Sequence, residues 1–387
     1  MTKSHILIYA PWIEGGDLMN LQHVAEGLLK INHRITLALD LRTDEVRRIL
    51  RREKASLFDR TEQVNAYGPN GQFLGGSELQ TVNRLLLKTG ASTVLVNMMD
   101  TFISGALRRA AFGINPPIEL KGKLGGHYSR PKWFSPQHGG FNNWLKKRGF
   151  AKLSREGWFG SLLVPNEYET EDLQQAFPDT QFVFMPEPGQ KPTISRDEAR
   201  RYFDLPEDAI VLLNYGVGHK RKGLHLVTEA LRRIDSPRLF LFSAGRHTKN
   251  TRARDEVIAM EKRGRAKVID RYITEKEEAI CFRGCDFVLA PYLSHYGSSN
   301  VLALAVRAGR PLLASDFHLI GRRVRDRKLG VLFRNFSVDD LESKLREITQ
   351  ITDNPVAPYS GQLSAYAKEL TVEAFHSSVQ TAYPNNR

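Results

Sequence analysis

Short runs of apolar residues recur along the chain and alternate with stretches whose apolar residues are spaced three and four positions apart. Short apolar runs are typical of buried strands, and the wider spacing is typical of amphipathic helices. Strands are predicted at residues 5–10, 35–39, 93–97, 161–164 and 181–185, and again at 210–214, 238–243, 266–269, 286–290, 311–314 and 330–333. This alternation predicts an α/β fold with parallel sheets.

Two helices have the clearest periodicity, and each follows a turn that contains glycine. Their apolar stripes are Leu18, Leu21, Ala25 and Leu28 in the first half and Leu224, Val227, Leu231 and Ile234 in the second. The preceding turns are residues 14–17 and 216–223. Both halves therefore begin with a strand, a glycine turn and a helix, and we predict two domains of similar βαβ organisation.

The boundary between the two halves is marked by residues 185–192, which contain three prolines and a glycine. Proline fixes φ and removes a backbone donor, so this segment suits neither a helix interior nor a central strand. We interpret it as a linker. The predicted domains are residues 1–187 and residues 188–363.

Composition and charge limit the classes of protein that fit. Hydrophobic residues make up 41% and charged residues 26%, as in an average globular protein. Lysine and arginine exceed aspartate and glutamate by 56 to 43, which favours anionic partners: nucleic acid, anionic lipid or a phosphorylated small molecule. The two cysteines, Cys281 and Cys285, fit neither a disulfide framework nor a zinc site and indicate a cytoplasmic setting. No run reaches the ~18 to 20 apolar residues that span a bilayer.

The turn at 216–223 has the composition of a phosphate-binding loop. Gly216 and Gly218 allow the backbone to approach a ligand closely, and Lys220, Arg221 and Lys222 add positive charge in front of a helix N-terminus. A solvated basic loop is the simpler alternative. Neither a Walker motif nor a complete dinucleotide fingerprint is present, so ATP hydrolysis and NAD chemistry are not favoured.

A second such turn follows the strand at 286–290. Gly297 is followed by Ser298, Ser299 and Asn300, residue types that cap a helix, and the next residues are an apolar run. Capping alone would explain them. Both turns, however, are predicted at the carboxyl ends of strands in one parallel sheet, where open α/β sheets bind their ligands.

The segments 200–223, 285–291 and 297–316 resemble the donor-binding domain of family-4-type retaining glycosyltransferases. The motifs that carry the resemblance are the run from Arg200 to Asp208, the turn ending in Lys222 and Gly223, the run from Cys285 to Pro291, and the run from Ala308 to Asp316. The resemblance implies a GT-B fold, with two Rossmann-like domains that face a cleft and a nucleotide sugar held mainly by the second. It also implies that residues 364–387 form a helix that packs back on the first domain.

The resemblance assigns residues for donor binding. Lys222 matches the family lysine that contacts the donor diphosphate, while the expected arginine is replaced by Val217, for which Lys220 or Arg221 could substitute. The paired glutamates of the family are replaced by Tyr296 and Leu304, so either Asn300 or backbone groups bind the ribose, or donor binding is altered or lost. The predicted donor-binding residues are Gly15, Gly16, Gly218, Lys220, Lys222, Arg246, Tyr296, Gly297, Ser298, Ser299 and Asn300.

The first half is expected to bind the acceptor. Within residues 121–131, His127 could hydrogen-bond a substrate hydroxyl and Arg130 could hold an anion, although a loop histidine beside an exposed arginine is the alternative. Asp17, together with His127, is the predicted catalytic residue, and Asp100 and Glu187 are further candidates for a base. The chain contains no Asp-x-Asp pair, so we expect no metal or other cofactor, with lysines and a helix dipole stabilising the leaving nucleotide.

Basic tracts outside these turns suggest other partners. Residues 143–153 combine aromatics with cations and fit either an anionic membrane surface or a solvated helix. Residues 246–271 and 322–328 could contact nucleic acid, but they lack an aromatic platform or a helix-turn-helix pattern.

We therefore predict a metal-independent, cytoplasmic glycosyltransferase, peripheral at the inner membrane surface if the first tract binds lipid. It would use a UDP- or GDP-linked donor and a sugar, lipid or small-molecule acceptor. The alternatives are a catalytically altered nucleotide-binding protein, a nucleotide-sugar epimerase, and a nucleic-acid or membrane-surface binder.

Overall fold

The computed structural model describes residues 4–11, 17–40, 57–65, 77–135, 138–248, 251–352 and 354–385. Contacts divide the chain into two compact units. The first unit contains Met1–Pro188 and Val372–Arg387, and the second contains Gly189–Thr371. Among the described helices, none is both long and apolar enough to cross a membrane.

The first unit is built on a seven-stranded parallel sheet. Its strands are β1 (His5–Tyr9), β2 (Arg34–Leu39), β3 (Arg60–Gln63), β4 (Thr93–Val96), β5 (Leu124–His127), β6 (Phe159–Val164) and β7 (Gln181–Phe184). The order is β3-β2-β1-β4-β5-β6-β7. Strands β2 and β3 are added on one side of β1 and strands β4 to β7 on the other, so the strand order reverses between β1 and β4. Crevices form at the carboxyl ends of strands at such a reversal.

Helices cover both faces of this sheet. They are α1 (Asp17–Lys30), α2 (Glu78–Thr89), α3 (Met99–Phe102), α4 (Ser104–Ala110), α5 (Phe141–Arg155), α6 (Glu167–Ala176) and, from the other end of the chain, α15 (Val372–Ala382). The stripe of Leu21, Ala25 and Leu28 on α1 is buried together with Phe375 and Val379 of α15. The C-terminal helix therefore completes the core of the first unit.

The second unit has a six-stranded parallel sheet in the order β10-β9-β8-β11-β12-β13. The strands are β8 (Ile210–Tyr215), β9 (Leu239–Ala244), β10 (Ala266–Ile269), β11 (Phe287–Ala290), β12 (Leu312–Asp316) and β13 (Gly330–Arg334). The helices are α7 (Arg196–Tyr202), α8 (Leu224–Ile234), α9 (Arg252–Lys262), α10 (Glu275–Gly284), α11 (Asn300–Arg307), α12 (His318–Asp326), α13 (Val338–Thr349) and α14 (Ser360–Ala367). The reversal falls between β8 and β11, the strands that precede the two predicted phosphate turns.

Helix α7 is fixed to this sheet by a buried ion pair. The Arg200 side chain is 1% exposed, and its Nη2 lies 2.5 Å from Oδ2 of Asp286. Its Nη1 also donates to the carbonyl oxygens of Pro206 and Glu207, at 2.5 and 2.8 Å. Asp286 in turn accepts the Val211 backbone N–H at 2.8 Å. The pair thus connects α7, β8 and the start of β11.

The prediction of an α/β fold with two Rossmann-like units is confirmed, and each predicted strand is present within one or two residues. Two strands were missed, β3 and β5. The prediction of one helix over residues 364–387 was wrong in one respect, because these residues contribute to two helices, α14 and α15. Leu363 and Leu370 are buried in the second unit, whereas Phe375 is buried in the first, so the apolar positions belong to two cores and the helix is interrupted.

Candidate functional site

The glycine turn of the second unit is held against the segment that follows β11. Residues Lys220–Lys222 form one turn of 3-10 helix, and Gly223 then has φ 72° before α8 begins. A Cβ at Gly223 would overlap the carbonyl oxygen of Pro291. Glycine is therefore required there both by the left-handed backbone and by the close approach of Pro291.

Lys222 lies at the carboxyl end of β8. Its Nζ donates to the carbonyl oxygen of Tyr215 at 3.0 Å and lies 5.9 Å from the centroid of the Tyr292 ring. Burial, reinforced by the neighbouring Arg221 guanidinium, lowers the pKa of Lys222 to about 8. The amine is therefore charged at neutral pH in a place that disfavours an uncompensated charge, and a bound anion would relieve this.

The two predicted phosphate turns are connected by His295. Arg221 donates to Nδ1 of His295, and His295 Nε2 donates to the carbonyl oxygen of Ser298 at 3.0 Å. The backbone N–H of Leu293 also donates to the Arg221 carbonyl at 2.8 Å. The turns therefore lie side by side, as binding of one pyrophosphate by both would require.

Helix α11 begins at this place without a side-chain cap. Its N-cap residue, Ser299, accepts no hydrogen bond from the first turn of the helix, and its side chain interacts with the buried Tyr292 instead. The uncapped amides of the first turn, beginning at Asn300, keep their capacity to bind an anion.

A cavity of about 280 Å³ opens in front of the glycine turn. Gly216, Gly218, Lys220 and Lys222 line it, as do Asn214, His225, His247 and Thr248, which the sequence analysis did not select. Thr248 Oγ1 donates to the Gly218 carbonyl at 2.5 Å, and His247 lies 3.1 Å from Ser243 Oγ, which accepts from Asn214 at 2.9 Å. His247 and Thr248 follow β9, the strand next to β8, so the rule that ligands bind at carboxyl ends of strands could have found these two.

Of the remaining predicted donor residues, those that the structure describes do not line this cavity. Tyr296 packs edge-on against the rings of Phe317 and His318, with centroids 5.1 Å apart in both cases. The Arg246 guanidinium lies 5.7 Å from the Tyr272 ring, while its backbone carbonyl accepts from Gly218 at 2.7 Å. Gly297 is buried and Ser298 half-buried. Gly15 and Gly16 lie outside the described residues, and of Asp17 the structure describes only that α1 begins there.

The first unit has its own cavity, of about 670 Å³, at the carboxyl ends of β4 and β5. His127, Arg130, Lys132 and Lys146 line it. Desolvation, followed by Arg108 and Lys132, lowers the pKa of Lys146. The cavity is therefore positively charged and suited to an anionic group.

Asp100 supports this cavity rather than standing free in it. Its carboxylate accepts the backbone N–H of Ser129 at 2.9 Å and that of Arg130 at 2.6 Å, and burial raises its pKa. His127 is not a loop residue but the last residue of β5, with Nε2 3.2 Å from Ser129 Oγ. These bonds fix the segment that presents Arg130.

We expect His127 to remain neutral down to acidic pH. Burial lowers its pKa to about 4, so the ring carries no charge at pH 6 to 8 and can exchange hydrogen bonds without supplying positive charge. An NMR titration should show one imidazole, absent from the spectrum of His127→Gln, that protonates near pH 4. Titration of that ring near 6.5 would contradict the burial on which the expectation depends.

Comparison with known protein families gives a match within the second unit. The sequence model of the family described as glycosyl transferases group 1 matches residues 195–369. No curated protein sequence matches the chain.

Solved structures resemble the whole chain. They include a glycosyltransferase from Rickettsia africae ESF-5, 11% identical over 100% of both chains with a TM-score of 0.71. Sucrose-phosphate synthase from Thermosynechococcus elongatus is 15% identical over 98% of both chains, with a TM-score of 0.68. Anabaena Alr3699/HepE, solved in complex with UDP, is 12% identical over 98% of both chains, also with a TM-score of 0.68. At these identities the likeness shows the fold, which is that of GT-B enzymes.

Proposed function

We propose that this chain, a glycosyltransferase whose residues 195–369 belong to the glycosyl transferases group 1 family, transfers a sugar from a UDP- or GDP-linked donor bound by its second unit. The observation that carries the proposal is the convergence of Lys222, the glycine turn and the uncapped start of α11 on one edge of the sheet. These groups supply a cation and outward backbone amides, which is what a diphosphate needs. The Anabaena protein of similar fold has been solved with UDP and with UDP-glucose.

The same groups would stabilise the leaving nucleotide. As the bond between the sugar and the diphosphate breaks, negative charge accumulates on the phosphate oxygens. Lys222 and the α11 amides are already oriented, so they favour that charge with little reorganisation. Because the chain has no Asp-x-Asp pair, we propose that these cations and dipoles act without a metal ion.

Recognition of the donor sugar and ribose would differ from the family pattern. Leu304 packs against the core of the second unit and has no polar group to offer, and the Tyr296 ring packs edge-on against Phe317 and His318. We propose that Asn300 and backbone groups bind the ribose hydroxyls. The absence of the paired glutamates also favours a second function, which is nucleotide binding without sugar transfer.

For the first unit we propose binding of an acceptor that carries a phosphate or carboxylate. Arg130, Lys132 and Lys146 provide the charge in its cavity, and His127 provides a neutral hydrogen-bonding group for a hydroxyl. Removal of one cation, as in Lys146→Ala, should then raise KM for the acceptor and leave donor binding unchanged.

The direct test has two stages. Thermal unfolding is measured with UDP, GDP and ADP, and the nucleotide that stabilises the protein identifies the donor class. The corresponding nucleotide sugars are then incubated with and without an acceptor panel, and the products are analysed. Transfer or slow hydrolysis supports the proposal, binding without turnover supports the altered protein, and an epimerised donor supports the epimerase. Failure of every nucleotide to raise the melting temperature would refute donor binding.

A surface of the first unit fits an anionic membrane. Phe141 and Trp144 at the start of α5 are 71% and 52% exposed and stack at 5.8 Å. The Arg148 guanidinium lies 5.6 Å from the Trp144 ring, and Lys147 lies 5.6 Å from the ring of Phe134. Exposed aromatic rings beside cations favour the interface of an anionic bilayer, so we propose a lipid-linked acceptor.

We expect the wild-type protein to cosediment with phosphatidylglycerol vesicles and not with phosphatidylcholine vesicles. The double variant Phe141→Ser, Trp144→Ser should lose most of this binding because the inserted rings are gone. Tyr202→Ser, which removes a ring of similar exposure from the second unit, is the matched control. Equal binding by both variants would contradict the proposed surface.

A further inference from the structure

The first and last helices of the first unit are connected by a cluster of two histidines and a glutamate. His23 and Glu26 lie on α1, and His376 lies on α15. His23 Nδ1 is 3.1 Å and His376 Nε2 is 3.5 Å from the same Glu26 oxygen, Oε2. One potential ligand atom from each of the three side chains lies within 4.8 Å of the others.

The His376 ring nitrogen at the centre of this cluster lacks a hydrogen bond. His376 is only 4% exposed, and its Nε2 is a buried polar atom without a hydrogen-bond partner, although it faces Glu26. Buried polar atoms in native proteins are nearly always satisfied. The atom is therefore placed as a ligand would be placed, toward a carboxylate and a second imidazole.

We propose that these three residues bind a divalent transition metal, with Zn²⁺ the best fit. Two histidines and one glutamate are an established zinc donor set, and ligands at about 2.0 Å from a tetrahedral ion lie about 3.3 Å apart. The observed 3.1 and 3.5 Å match this spacing. His23 and Glu26 are half-buried, so water can complete the fourth position.

Lys30 makes the proposal sharply testable, because it competes with the metal. Its Nζ lies 2.8 Å from His376 Nδ1, the other ring nitrogen. A lysine ammonium donates there only if Nδ1 is unprotonated, which leaves the proton of a neutral ring on Nε2. Coordination through Nε2 requires the opposite tautomer, so the exposed Lys30 side chain must move away.

The metal would stabilise the first unit by connecting two of its helices. The site joins α15, from the end of the chain, to α1, and its residues do not line the cavity of the first unit. A ligand that binds only the folded state stabilises that state. This inference does not depend on the proposed sugar transfer.

The test uses the full chain, freed of metal and titrated with ZnCl₂ by calorimetry, and with CoCl₂ to obtain the visible spectrum of a tetrahedral site. We expect one ion per chain and a higher melting temperature. Glu26→Gln and His23→Gln should weaken binding at least ~10-fold. Glu373→Gln removes an equal charge from α15 without removing a ligand and should bind normally.

Lys30→Met distinguishes coordination from a purely structural hydrogen-bond network. It removes the competing ammonium and the hydrogen bond that zinc coordination would have to break, so zinc affinity should increase by about tenfold. A network without metal predicts only a loss of stability in this variant. Absence of zinc binding by the wild type, or equal affinities of Glu26→Gln and Glu373→Gln, would overturn the proposal, as would unchanged affinity in Lys30→Met.

Discussion

Replacement of Lys222 by alanine is expected to abolish stabilisation by UDP or GDP and to lower the rate of sugar transfer about 10²- to 10³-fold. The amine is the buried cation that we propose to contact the diphosphate, and its loss removes the charge that would stabilise the departing phosphate. Thermal unfolding with and without nucleotide measures the first effect, and initial rates measure the second.

The control for this variant must account for a structural contact. Lys222 also donates to the Tyr215 carbonyl, so any substitution without a donor leaves that oxygen unpaired. Lys222→Met fills more of the space than alanine and should lose nucleotide binding equally. A nucleotide response that persists in both variants would show that the cation acts on the fold alone.

The pH dependence of nucleotide binding provides a second readout of the same residue. Since the pKa of Lys222 is lowered to about 8, the free protein carries the charged amine below pH 8 and the neutral amine above it. A bound diphosphate favours the charged form. Nucleotide affinity should therefore be constant from pH 6.5 to 7.5 and fall up to tenfold per pH unit above 8. An affinity that stays constant above pH 8 would contradict contact between this amine and the diphosphate.

The sequence predicted the strands whose apolar residues are contiguous and missed those without such a run. β3 is the edge strand Arg-Thr-Glu-Gln, in which only Glu62 is buried, so it has no apolar run. β5 contains Gly125 and Gly126, residues with low strand propensity, and it forms because tertiary pairing with β4 and β6 overrides that propensity.

Individual site residues could be predicted where a local sequence motif contains them. Lys222 follows from its place at the end of a glycine turn. By contrast, the interaction of Asp100 with two amides of the segment after β5 joins residues about 30 positions apart, and no local pattern contains it. His247 and Thr248, which also line the cavity, follow β9, and the pairing of β9 with β8 would have been needed to select them.

Some of the residues that carry the family resemblance stabilise the fold and do not contribute to either cavity. Arg200 and Asp286 lie in two of the segments that carry it, yet they form the buried ion pair under α7 and line neither cavity. Such a pair is costly to break because the remaining partner stays buried without compensation. The resemblance to the family in these segments is therefore evidence for the fold of the second unit as well as for its ligand.

Arg200→Met should accordingly lower the free energy of unfolding of the second unit by about 3–5 kcal/mol, because it leaves the buried Asp286 carboxylate without its main partner. The neighbouring Arg201 is exposed, and Arg201→Met should change stability by less than about 0.5 kcal/mol.

All four tryptophans, Trp12, Trp133, Trp144 and Trp158, precede the second unit in the sequence, so urea unfolding can be followed by two probes, tryptophan fluorescence for the first unit and circular dichroism for the whole chain. Arg200→Met should shift the transition seen by circular dichroism and leave the fluorescence transition in place. Equal stabilities of the two arginine variants would mean that the ion pair contributes no more than a surface contact.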